Sequence, residues 1–251
     1  NGSATLSPMG TKMGFDSGSS LVVDGVTYTF PVGGATMVVG DSTDVSATFT
    51  GACAYSAFTD ATPDDCGTGN SLGVGGKGVT ATIGYAFDNG FSIAGGFSSP
   101  ETEILGDPSD LYGLNAAYTG DGYGVALAYV TDDGSAKTPY KTGAETTTWG
   151  FQGYYTFDLA SISAGYETQE TGGTDSTGYF VGLSFPEVGP GSVNVAAATT
   201  GLFTSSQTEY MVYEASYSYP VNDAMTVTPG VFIKEGSTDE TGVAVKTSFS
   251  F

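Results

Sequence analysis

The residues able to do chemistry in this chain are few, and their types exclude most reactions. The sequence has no histidine and no arginine; its basic residues are six lysines, set against 27 acids for a net charge of −21. Without imidazole, neither a Ser-His-Asp nor a Cys-His arrangement can be assembled. Adjacent carboxylates occur at Asp64 and Asp65, Asp132 and Asp133, and Asp239 and Glu240. Each pair lies in a polar stretch with no apolar surroundings to raise a pKa, so solvated loops are expected and not acid–base catalysis. Their spacing matches no EF-hand or repeat calcium motif. Cys53 and Cys66, the only cysteines, share the polar segment Gly51 to Gly69 with no histidine or further thiol to complete a metal site. A disulfide stapling one loop in an oxidising compartment is the expectation. No catalytic residue, metal or cofactor is assigned. So acidic a chain is a poor partner for nucleic acid, whose phosphates would repel it.

The elements that carry these residues are strands. With 39 Gly, 16 Tyr and 15 Phe, and with no apolar run of about 18 residues, the chain offers many short strands and no transmembrane helix. From Val22 onward, segments of about ten residues alternate apolar and small polar side chains between turn-forming clusters. The clearest is GVTATIGYAF, Gly78 to Phe87, reversed at Asp88-Asn89-Gly90 into FSIAGGFS. Similar hairpins are predicted over Val26 to Val39, Leu111 to Thr131, Thr146 to Glu167, Thr177 to Thr199 and Glu209 to Ile233. With a strand near Thr11 to Phe15 and a last one over Thr241 to Phe251, the total is about fourteen. Short turns alternate with longer connections at Gly40 to Lys77, Ser99 to Asp110, Asp132 to Glu145, Gln169 to Asp175, Gly201 to Thr208 and Lys234 to Glu240. Aromatic residues cluster beside the short turns and again nearer the long loops.

That pattern predicts an all-β fold: one antiparallel transmembrane β-barrel in outer-membrane lipid, with apolar faces outward and Gly, Ser, Thr and Ala around a wet lumen. Strand parity puts Glu167, Gln152, Tyr154, Glu214 and Lys246 on the lumen side. The long Gly40 to Lys77 connection is the candidate for a loop folded inward. Its Asp41, Asp44, Asp60, Asp64 and Asp65 would give the constriction a negative potential and a modest cation preference, since charges in a wet pore are screened beyond about 8 to 10 Å. Short turns are expected on the periplasmic side. A substrate-specific channel for sugar or iron, or a surface adhesin, is the competing reading.

The C-terminal stretch, from TEYMVYEASYSYPVNDAMTVTPGVFIKEGS at Thr208 to the closing TSFSF, resembles that of the cyanobacterial outer-membrane porins, relatives of the carbohydrate-selective porins. The matching residues include Thr228, Pro229, Gly230 and Val231, and VTYTFPVGGATMVVG at Val26 to Gly40 looks similar to an early hairpin of the same family. The resemblance implies a barrel of about sixteen strands, a homotrimer, and passive diffusion of ions and small hydrophilic solutes. It also implies an N-terminal periplasmic domain that grips peptidoglycan-linked polymer. Residues 1–251 are then expected to be the barrel, with that domain and the first strands either lying outside this chain or, for the anchor, lost from this member.

Overall fold

The computed structural model describes residues 26–41, 43–76, 78–100, 110–133 and 144–250. Thirteen strands run in chain order through a single antiparallel sheet, each paired to its sequence neighbours. They are β1 (Val26–Val32), β2 (Ala35–Asp41), β3 (Val79–Ala86), β4 (Phe91–Ser99), β5 (Leu111–Thr119), β6 (Tyr123–Asp132) and β7 (Thr146–Thr156). The second half comprises β8 (Ser161–Thr171), β9 (Thr174–Val188), β10 (Gly191–Thr199), β11 (Met211–Asn222), β12 (Met225–Lys234) and β13 (Glu240–Phe249). The predicted strand near Thr11 to Phe15 lies outside the described residues. Most strands from β4 onward are nine to twelve residues long, enough to cross a bilayer core at a tilt of about 45°.

Burial alternates with period two and is inverted relative to a soluble protein. On β5, Leu114 is 62% exposed and its neighbour Asn115 5%; on β7, Phe151 is 50% exposed and Gln152 1%. Apolar side chains therefore face out and polar ones face in, which suits a wall between lipid and an aqueous interior. Outward rings meet at both ends of the strands. Near the short turns, Phe91 and Tyr118 approach to 4.7 Å between centroids, as do Tyr85 and Phe87. Near the long loops, Tyr129 and Trp149 stand 4.7 Å apart and Phe97 and Tyr112 5.3 Å. Two aromatic girdles flank an apolar band, the arrangement an interface on either side of a bilayer favours.

One connection differs from its expectation. The Gln169 to Asp175 region, expected as a long loop, is the end of a hairpin in which β8 and β9 pair as far as Thr171 and Thr174. Gly172 (φ 56°) and Gly173 (φ 81°) make the turn in a left-handed conformation that glycine adopts at no steric cost. A Gly- and Thr-rich stretch reads as a loop, but here it supplies a two-residue reversal between extended strands.

Candidate functional site: a loop seated inside the barrel

The segment Thr43–Gly76, between β2 and β3, lies against the inward face of the sheet and crosses most of its strands. It contains one helical turn, α1 (Asp64–Gly67), in which Asp65 (φ 49°) and Cys66 (φ 52°) are left-handed. Its start is tied to β1 by the Thr43 and Thr27 hydroxyls, 2.7 Å apart, and its two limbs are held together by Ser46 Oγ donating to the Val74 carbonyl at 3.1 Å. The Thr48 hydroxyl meets that of Thr82 on β3.

Beyond Thr48 the chain is extended and runs across the strands, so every second amide points to the wall. Thr50 N donates to Asn115 Oδ1 on β5 at 2.8 Å, Ala52 N to Gln152 Oε1 on β7 at 2.7 Å, and Ala54 N to Ser163 Oγ on β8 at 2.9 Å. Asn115 also donates to the Thr50 carbonyl at 3.2 Å. Side chains thus replace the backbone partners that a segment lying across a sheet cannot find. Gln152 closes the other limb as well, donating from Nε2 to Thr68 Oγ1 at 2.6 Å and to the Asp65 carbonyl.

Two inward carboxylates act as anchors. Glu214 on β11 accepts from Tyr55 Oη (2.8 Å), Phe58 N (2.7 Å), Thr59 N (3.1 Å) and Thr59 Oγ1 (2.9 Å). Glu167 on β8 accepts from Ser71 Oγ at 2.6 Å and Asn70 Nδ2 at 2.7 Å. Charge-assisted bonds of this kind are about twice as strong as neutral ones. Burial, then the adjacent Glu214 charge, push the Tyr55 phenol well above its ordinary range, so it remains a donor. A Cys53–Cys66 disulfide with Cα atoms 5.9 Å apart staples the middle of the loop.

The seat itself is made of inward-facing glycines. An added Cβ would overlap the Val45 carbonyl at Gly96, Ser71 Oγ at Gly150, the Cys66 carbonyl at Gly165 and the Phe58 ring at Gly230. At Gly113 and Gly182 it would press into Phe49 and Tyr55, at 2.8 and 2.6 Å. These residues fall on β4, β5, β7, β8, β9 and β12. A single 34-residue segment can touch one face of so many successive strands only if the sheet curls around it. Apolar contacts fill the remaining gaps: Phe180, Val212 and Phe232 pack against Ala61 and the disulfide, while Ala117, Ala126 and Ala128 pack against Ala52 and Leu72. At this level the lumen wall is apolar as well as polar.

Residues 9–241 match the Gram-negative porin family. The chain belongs to that family. Solved porins share its fold at low identity. A porin refined at 1.8 Å resolution superposes with a TM-score of 0.68 at 16% identity, over 90% of this chain and 80% of that one. The anion-selective porin from Comamonas acidovorans gives 0.66 at 14%, over 90% and 77%. OprB of Pseudomonas putida gives 0.64 at 14%, over 90% and 72%. No curated protein matches the sequence. The protein is an outer-membrane β-barrel of the porin kind, and Thr43–Gly76 lies against its inner face.

Within that porin, the residues singled out from sequence separate into groups. Glu167, Gln152 and Glu214 face inward but spend their polar atoms on the loop, and Tyr154 packs beside it against Ala52, Leu72 and the β6 alanines. Lys246 lines an inner cavity on the short-turn side. Asp44, Asp60 and Asp65 are exposed on the loop, and Asp64 begins α1. Asp41 differs from its expectation: it ends β2 and pairs in register with Val26 and Val79, on the outward-facing parity, so it belongs to the outer rim and not to the constriction. Lys77, the expected end of the loop, lies outside the described residues. The sequence reading missed Asn115, Ser163 and the glycine seat. Glycine at inward parity on successive strands was the available signal.

Proposed function

We propose that this porin conducts ions and small hydrophilic solutes by passive diffusion, with a modest preference for cations. The carrying observation is the placement of Asp44, Asp60 and Asp65: all three are exposed, on a segment fixed across the lumen by Glu214, Glu167 and Gln152. The net charge of −21 adds a diffuse field of the same sign. Fixed charges in a wet passage bias the local ion concentrations, and at physiological salt their reach is about 8 Å. The bias is therefore real but shallow. Short turns face the periplasm in this reading, and the barrel sits in outer-membrane lipid as a homotrimer.

The reversal potential across a planar bilayer under a KCl gradient tests this. The sign expected is that of cation preference, declining as total salt rises, and the triple change Asp44→Asn, Asp60→Asn and Asp65→Asn moves it toward zero. A reversal potential of anion-selective sign contradicts the assignment.

A further inference from the structure

On the short-turn side of the seated loop, the inward side chains of five adjacent strands form rows. Ser192 on β10 opposes Ser218 on β11, Thr228 on β12 donates to Ser218 Oγ at 3.1 Å, and Lys246 on β13 opposes Thr228. A second row runs Ser184, Asn194, Ser216 across β9, β10 and β11, and Thr226 opposes Ser248. With Phe58 of the loop, these residues wall a cavity of about 470 Å³. Among the described residues, Lys246 is the one charged residue in its lining and no Asp or Glu contributes to it.

We propose that this chamber is a weak binding site for small oxyanions, meaning organic phosphates and carboxylates, that enter the channel; the inference rests on the pore reading above. Three features of the chamber select that chemistry. The Lys246 ammonium supplies the charge, in a wall where no described residue places a carboxylate to neutralise it. Thr228 gives its proton to Ser218 Oγ, which leaves the Ser218 proton free to point into the chamber; with it the remaining serine hydroxyls, Thr226 and the Asn194 amide can donate hydrogen bonds, so a row of them can replace part of an oxyanion's water shell. The volume corresponds to about fifteen waters at ~30 Å³ each, room for a solute the size of a hexose phosphate that keeps some hydration. A neutral sugar finds the same hydroxyls without the charge, and a cation meets the ammonium as a like charge. The channel is then divided along its axis, with exposed carboxylates on the loop and an oxyanion chamber beneath it.

Single-channel recording of the full chain in planar bilayers tests the proposal, with sodium phosphate, glucose 6-phosphate, gluconate or glucose added to each side in turn. The expected result is extra current noise and partial block by the anionic solutes, stronger from the short-turn side, and none from glucose at equal concentration. In Lys246→Gln the half-blocking concentration rises about fivefold, the size of one ion pair across a wet wall. Lys246→Arg restores it, and Ser218→Ala with Thr228→Val weakens block while the charge is kept. Block by gluconate as well as by the phosphates supports a general oxyanion site; block by the phosphates alone supports its phosphate arm. Equal block in the wild type and Lys246→Gln, or block by glucose as strong as by glucose 6-phosphate, overturns it. The KCl steps recorded before any addition separate the two readings. Without steps the pore reading falls and takes the chamber with it, whereas normal steps without Lys246-dependent block remove the chamber alone.

Discussion

Glu214 concentrates more of the loop's attachment than any other single side chain in this account. Four donors from Tyr55, Phe58 and Thr59 converge on its two oxygens. Glu214→Ala leaves two buried amides, the Thr59 hydroxyl and a phenol without this acceptor, a loss of about 3 kcal/mol in local stability. The expected outcome is a barrel that still folds but whose open-channel current fluctuates, read as excess noise in single-channel records. A quiet variant with wild-type conductance would show that the anchor is dispensable. Strand parity placed Glu214, Glu167 and Gln152 inside, because alternation is a local property of a strand. Their partners could not be read in the same way. Gln152 meets a loop amide 100 residues away and Glu214 a phenol 159 residues away, and no periodicity reports contacts at that range.

At the level of elements, hairpins with strong turn residues were legible and their exceptions are physical. Gly90 (φ 89°) turns the β3–β4 hairpin as Asp88-Asn89-Gly90 suggested. The Gly172-Gly173 hairpin reads as a loop in sequence because its flanking threonines carry no apolar alternation. Inward glycines were read as compatible with a wet lumen, when several of them leave room for the backbone of Thr43–Gly76. This yields a prediction for the seat. Gly165→Val, whose side chain would occupy the place of the Cys66 carbonyl, pushes the loop from the wall and changes single-channel conductance severalfold. Gly153→Ala, one strand away, meets its nearest neighbour at an ordinary 3.5 Å and leaves conductance unchanged. Equal behaviour of the two variants would argue against a close-fitting seat.

For the whole molecule, the inversion of polarity between Leu114 and Asn115, or Phe151 and Gln152, makes the sheet a membrane wall, and alternation made that much visible in sequence. What alternation could not show is that a loop fills part of the interior. Three apolar clusters hold the loop against β5, β6 and β9 to β12, and the disulfide closes it on itself, so we expect the passage to be set by the loop and not by the circumference of the barrel. The most direct test is the single-channel conductance of the full chain beside a variant in which residues 43–76 are replaced by a short Gly-Ser linker. Discrete, ohmic steps are expected from the full chain and severalfold larger steps from the variant; absence of steps from the full chain, or equal conductance in the two, would contradict a loop-limited pore.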